Sequence, residues 1–499
     1  MTGSAVAFIF YLILLLVVGY MAFRMTRTFS DFVIASRNLN AWTTSLSAQA
    51  SDMSAWLLLG LPGLAYAMGL GTIWVAIGIM AGTLFNWHYI ATRLRRFTEL
   101  TDSITISDFF AARYEDNSHL LRVISAVVII VFFVINISAE LVASGKLLNA
   151  SFGFDYNLGL LIGVGVIVLY TFFGGFFAVS WTDFVQGLLM VFGLVVLPIL
   201  GLNALGGFPK LWGAMQAYDV NLLDVLAGET GWMALSGVII GSLAIGLGYP
   251  GQPHILVRFM AIKKARQLKA AMLIAMIWVI LSLYGAIFVG FIGHGFLAPL
   301  EDPEQVLPLL AGQLLSPWLA GILVAAVMAA IMSSVDSYLL VSSTAVAEDF
   351  YKKIFRKDAD DKLLTMVGRI CVILVALAAF LLARPGGVVF TLALYAWGGL
   401  AAGFGPLVIL SLYWKRTTMW GAATGMIVGM GVTILWYNTG LSNYIYELVP
   451  AFFLSLISIV IVSYFTSAPS ANVLDKFELA KKPLSSEIEV LEGHLQGNK

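Results

Sequence analysis

Charge is scarce in this chain: Asp, Glu, Lys and Arg make up 11% of its 499 residues, where soluble domains carry about 25%. With 60% of residues apolar, there are too few polar groups to cover a water-facing surface, which excludes a soluble globular enzyme. Cysteine is nearly absent. The single thiol, Cys371, excludes a disulfide framework and a cysteine-based metal cluster, and its apolar neighbours Ile370 and Val372 make it a buried structural group. The histidines (His88, His119, His254, His294 and His494) include no pair at metal-ligand spacing. Basic and acidic residues balance at 28 each, so nothing favours nucleic acid as a partner. The only Gly-Lys pair, Gly145-Lys146, has Glu140 and Leu147 where a phosphate loop needs Gly and Ser or Thr. Gly246-Leu-Gly248-Tyr-Pro-Gly251 has dinucleotide-loop spacing, but no strand precedes it and Pro250 stands where a helix should begin.

What the chain has is long apolar runs, with 13 Trp, 18 Tyr and 33 Phe suited to lipid and its interface. At about 20 residues per crossing, they predict an all-α polytopic membrane protein with thirteen spans: 5–24, 42–63, 68–91, 119–149, 156–176, 183–206, 233–256, 268–295, 309–347, 365–384, 388–414, 418–438 and 444–466. No basic residue precedes the first span, which therefore reads as a retained helix and not a signal peptide. Loops after odd-numbered spans, with the tail, collect 25 of the 28 basic residues, Arg258 included. Only Lys146, Lys210 and Arg384 fall on the other side. By the positive-inside rule the N-terminus is outside and the C-terminus inside. Residues 1–466 form one transmembrane domain, and 467–499 form a polar cytoplasmic tail that adds little.

Polar residues at membrane depth default to an ion or substrate path. The second span carries Ser45, Ser47, Gln49, Ser51, Asp52 and Ser54, a run that suits a helix broken near Ala50–Ser54. Its freed carbonyls would coordinate a cation, with Asp52 supplying charge; the alternative is serines satisfying backbone at a packed crossing. The seventh span breaks through Gly246, Gly248, Pro250, Gly251 and Pro253. Two interrupted spans at corresponding places point to an inverted repeat, with repeats at about 42–206 and 233–414 and the segments 5–24, 418–438 and 444–466 outside them. In the ninth span Ala330, Ser333, Ser334 and Ser337 share one helical stripe beside Asp336. Such a stripe makes either an oxygen cage for a hard cation such as Na+ or a small-residue packing face. Asp183, closing Ser180-Trp-Thr-Asp183, reads as a helix cap or as part of a cation exit.

Leu46-Ser-Ala-Gln-Ala-Ser-Asp52-Met-Ser-Ala-Trp56, Gly248-Tyr-Pro-Gly-Gln-Pro-His254 and Ala330-Ile-Met-Ser-Ser334 resemble the sodium/solute symporter family, and within it the bacterial sodium/proline branch. Phe173-Gly-Gly-Phe-Phe-Ala-Val-Ser-Trp-Thr-Asp183, Tyr395-Ala-Trp-Gly398 and Gly405-Pro-Leu extend the likeness over about residues 8–470. The resemblance implies a LeuT-like inverted-repeat core of five plus five helices and sodium-driven import of L-proline, or of another small neutral or amide-bearing amino acid. The cell membrane is the implied location, Na+ is the coupling ion and no organic cofactor takes part. It also implies sodium ligands at the carbonyls of Ala50, Met53 and Ala330 and the hydroxyls of Ser333 and Ser334, with Asp52 needed for coupling. Ser54, Trp56, Tyr249 and Pro253 would lie at the solute, and Asp183, Asp336 and Ser337 are candidates for a second cation. The branch usually has Tyr at Asn136, Gly at Glu140 and Trp at Ile245, so these three solute-side positions depart from it. The alternatives, a solute sensor or a channel, lack a signalling extension and a charged ring respectively.

Overall fold

The computed structural model describes residues 3–23, 33–173, 175–356 and 358–482. Arg24, Arg27, Gly174, Lys357 and the tail beyond Lys482, with Pro483, His494 and Lys499, lie outside the described residues. The described chain is helical throughout, with one isolated bridge between Leu39 and Ile262. The principal helices are α1 (Gly3–Phe23), α2 (Ala41–Asp52), α3 (Leu61–Met68), α4 (Ile73–Phe85), α5 (Leu120–Phe152), α6 (Tyr156–Phe173) and α7 (Phe176–Leu205). They continue as α8 (Pro253–Ala261), α9 (Leu268–Phe296), α10 (Pro317–Thr344), α11 (Asp361–Ala383), α12 (Val389–Tyr413), α13 (Met419–Asn438), α14 (Leu448–Phe465) and α15 (Ala471–Leu479).

Local chemistry sets where these helices start. Asn40 accepts from the Thr43 amide at 2.9 Å, Asp360 from Leu363 and Thr418 from Gly421, each satisfying an N–H that has no partner within its helix. α8 and α10 open on Pro253 and Pro317, whose missing N–H costs nothing in a first turn. Among the described residues ten helices are long and apolar enough to cross a membrane. One of these stretches, Trp56–Leu100, contains a reversal: Gly69 takes φ +55°, and Ile79 returns to the depth of Asp52 and Trp56, with which it lines one cavity.

Two helices are interrupted in the middle. α2 stops at Met53 (φ −92°, ψ 76°) and helix resumes at Trp56–Gly60, continuous with α3. The chain before α8 winds tightly over Ile245–Gly251 and turns extended at Gln252. Glycine lets these irregular segments approach other backbone closely. A Cβ added at Gly251 would lie 2.7 Å from the Ala401 Cα and 2.8 Å from the Gly405 amide of α12. α10 is the axis of the molecule, with 83% of its apolar window buried against α1, α2, α5 and α7.

Two expected boundaries shift. The run 309–347 is not one helix: Leu315 is extended and Ser316 precedes proline, which disfavours helix there, so a separate short helix Val306–Leu314 comes before α10. α7 begins at Phe176, seven residues before Asp183, so the capping role for Asp183 is overturned. The tail also begins with more structure than its composition suggested. α15 packs Val473 and Phe477 inward, and Ser470 and Asn472 donate to Glu115, holding that carboxylate below its usual range.

The Gly251–Ala401 contact yields a prediction. Gly251→Val should destabilise the folded protein by about 1–3 kcal/mol through overpacking, read as a lower midpoint in detergent thermal denaturation. An unchanged midpoint would mean the two backbones are not closely packed.

Candidate functional site

The interrupted segments meet around a small cavity. Asp52, Trp56, Asn136, Ile245, Tyr249 and Tyr338 line it, with Phe390 and Trp397 of α12 also on its wall. Backbone freed by the breaks finds side-chain donors, as it must where water is excluded. Trp56 Nε1 donates to the Asp52 carbonyl (2.9 Å), Trp397 Nε1 to Ile245 (3.0 Å) and Asn86 Nδ2 to Tyr249 (3.1 Å). The Tyr249 and Trp397 rings meet edge to face at 5.1 Å. Asp52 is buried, neither carboxylate oxygen makes a hydrogen bond of good geometry, and its side-chain neighbour is the Tyr249 phenol. Such a carboxylate is available to an incoming group.

Among the residues expected at the solute, the structure thus brings together Trp56, Asn136, Ile245 and Tyr249. Ser54 and Glu140 are buried beside them at the break, where Glu140 accepts from the Ala55 amide at 3.2 Å. Pro253 lies elsewhere, in a second cavity with Thr105, Ser107 and Asp349. Glu140 is not paired with Lys146, which binds Asp302 (2.9 Å) and Glu304 (2.6 Å).

Below the break lies a second polar centre, made by four elements. Asp183 of α7 accepts from Ser47 (2.7 Å) and Ser51 (3.0 Å) of α2 and from Ser333 of α10 (2.6 Å). Arg258 of α8 reaches the same carboxylate at 3.1 Å, and its guanidinium also donates to Ser47, Ser51 and Ser337. Both charged groups are fully buried. Of the candidates for a second cation, Asp183 and Ser337 therefore already contact a guanidinium; Asp336 is buried on the same helix. Arg258 was missed as a site residue because the seventh span was ended at 256, which put it in a loop. α8 continues to Ala261 and carries it inside. One fewer basic residue then counts toward orientation.

Ala50, Met53, Ala330, Ser333 and Ser334 are all fully buried where α2 packs against α10. The hydroxyl stripe of α10 does face the broken helix: Ser337 Oγ donates to Ser51 Oγ at 2.9 Å. Carbonyls and hydroxyls of this kind suit a hard monovalent cation, while no cluster of His, Cys, Asp and Glu able to hold a metal occurs among the described residues.

The family model described as the sodium:solute symporter family matches residues 32–429. The chain belongs to that family. It is a sodium-coupled symporter and multi-pass membrane protein, not an enzyme. The osmoregulated proline transporter OpuE of Bacillus subtilis is 43% identical to this symporter, covering 95% of this chain and 97% of the relative. The sodium/proline symporter of Escherichia coli is 42% identical over 95% of this chain and 96% of its own. Among solved structures, a Na+-coupled sialic acid symporter in a substrate-bound, outward-open state superposes with TM-score 0.80 at 18% identity, covering 94% of this chain and 99% of that one. That likeness gives the symporter a LeuT-like transporter fold.

The buried ion pair makes a quantitative expectation. Arg258→Met or Asp183→Leu alone should cost about 3–5 kcal/mol by leaving one buried charge uncompensated, whereas the two together should cost far less than the sum of the singles. A thermal-denaturation double-mutant cycle reads this; additive losses would show the two groups act independently.

Proposed function

We propose that this symporter imports L-proline with Na+ by alternating access across the plasma membrane. The broken α2, with Asp52 presented to an aromatic-lined cavity and its other face against the hydroxyls of α10, carries the reading. The proline transporters related to it over nearly their full length support the choice of solute. Sodium is held by the carbonyls of Ala50, Met53 and Ala330 and the hydroxyls of Ser333 and Ser334, and Asp52 makes solute binding depend on it. Ser54, Trp56, Asn136, Glu140, Ile245, Tyr249 and Pro253 serve the solute during the cycle. Arg258 stands as a tethered cation at Asp183 and Ser337, so one Na+ accompanies each solute. A single Na+ crossing about 100 mV supplies about 2.3 kcal/mol, enough for roughly fiftyfold accumulation of a zwitterion.

In this reading the chain crosses thirteen times, N-terminus outside and C-terminus inside, with repeats at about 42–206 and 233–414. The reversal at Gly69 divides one long helical stretch into two crossings, and α1 and α6 add two more. A second solute reading, another small neutral or amide-bearing amino acid, is favoured by the polar Asn136 and Glu140 near the cavity.

Uptake of labelled proline into proteoliposomes tests the proposal, with inward gradients of Na+, K+ or H+ and a negative interior. Accumulation should occur with Na+ alone; accumulation under an H+ gradient without Na+ would reject sodium coupling. Asp52→Asn should raise the half-saturating Na+ concentration by about tenfold or more, a loss of about 1.4 kcal/mol, with unaltered sodium activation counting against the role of Asp52.

A further inference from the structure

We infer that the second cavity, the one holding Pro253, is an inner binding site for the solute, taking the amino acid's ammonium on Asp349 and its carboxylate on the Ser107 and Thr344 hydroxyls as it leaves for the cytoplasm. The inference rests on the solute reading above and adds a second stop to it. Three elements run from the first cavity to the second. α5 contributes Asn136 to one and Ile129 to the other, the chain entering α8 contributes Tyr249 and then Pro253 and Val257, and α10 contributes Tyr338 and then Val341 and Thr344. Between the cavities one ring from each element meets the others. Phe133 stacks on Tyr338 at 4.8 Å, and His254 lies edge-on to Tyr338 at 4.9 Å and to Phe133 at 5.8 Å. His254 is fully buried, and neither of its ring nitrogens makes a hydrogen bond of good geometry. The layer thus has a polar member able to touch a passing solute.

The second cavity is apolar along most of its wall and polar at one end, the same division that a small apolar amino acid has. Asp349, on the helical continuation of α10, is the charged residue on that wall. Its Oδ1 accepts from Thr105 Oγ1 (3.0 Å) and from Arg122 (2.9 Å), while Oδ2 makes no hydrogen bond of good geometry. Arg122 also binds Asp108, so one guanidinium is shared between two carboxylates and the cluster has capacity for a second cation. The Ser107 and Thr344 hydroxyls, on the same wall, are likewise buried without such a bond, with Ser107 beside the Asp349 carboxylate. Three buried polar groups around one space therefore lack partners, which is costly unless a ligand supplies them. A carboxylate oxygen accepts from an ammonium, and hydroxyls donate to a carboxylate. Ile129, Val257 and Leu340 supply an apolar wall for a small ring.

Initial rates of labelled L-proline uptake test this, driven by an inward Na+ gradient into right-side-out and into inside-out membrane vesicles. They give the half-saturating proline and Na+ concentrations at each face, each measured with the other saturating. Asp349→Asn keeps the volume and an acceptor for Thr105. At the cytoplasmic face it should raise half-saturating proline about tenfold, the scale of one charge-assisted contact, and leave the outer value within about twofold. Thr344→Val, similar in shape and outside the ion pair, should raise the cytoplasmic value about threefold, and it carries the test alone if the first variant does not fold. Equal shifts at the two faces, a shift at the outer face alone, or none at either overturn the inference. So does a rise in cytoplasmic half-saturating Na+ with proline unchanged, which would give the cavity to the ion. Wild-type vesicles that move no proline under Na+ would reject the solute reading and the inference with it, whereas wild-type uptake with both variants unaltered rejects the inference alone.

Discussion

The contact between Arg258 and Asp183 governs how the interior can be built. Moving two charges out of water costs several kcal/mol each, so neither can be buried without near-complete pairing. Their partners come from α2, α7, α8 and α10, the elements that surround the break. The pair thus fixes the relative depth and rotation of four helices at once. Hydrophobic packing cannot do this inside a bilayer, where lipid tails are as apolar as leucine.

Ser333 belongs to both polar centres. It is a proposed sodium ligand, and its hydroxyl donates to Asp183 at 2.6 Å. A hydroxyl keeps acceptor lone pairs while donating its proton, so a cation can be coordinated without breaking the bond to Asp183. The ion and the charged pair are then joined through one side chain, and the geometry of the helix crossing becomes part of the ion's coordination.

Much of this architecture was legible in the sequence, for reasons that differ by element. The two interruptions were visible because Gly246, Gly248, Pro250, Gly251 and Pro253, and the serine run around Asp52, are residues that a lipid-facing helix does not carry. The hydroxyl stripe of α10 followed from helical periodicity alone. The partnership of Asp183 with Arg258 was not legible: the residues are 75 apart in sequence, and their meeting depends on where α7 and α8 begin and end. Ser180-Trp-Thr-Asp183 had the pattern of a cap, but Gly175 (φ +119°) starts the helix earlier and places Asp183 well inside it. Pro253 was grouped with Tyr249 by motif, yet the extended Gln252 directs α8 toward the other cavity. Single-span ends carry the least information in an apolar chain, because hydropathy changes slowly there.

Glu304 ties the opposite end of the molecule together. Its buried carboxylate accepts from the Val389 and Phe390 amides (3.0 and 2.9 Å) at the start of α12 and from Lys146 at the end of α5. Phe390 is also part of the cavity wall and meets Trp56 at 6.4 Å. The wall is therefore anchored through a charged clasp and not by apolar contact alone. Parting it exposes a carboxylate and an ammonium that water can solvate, so hydration offsets much of the work of separation. A greasy seal at this position would offer no such compensation.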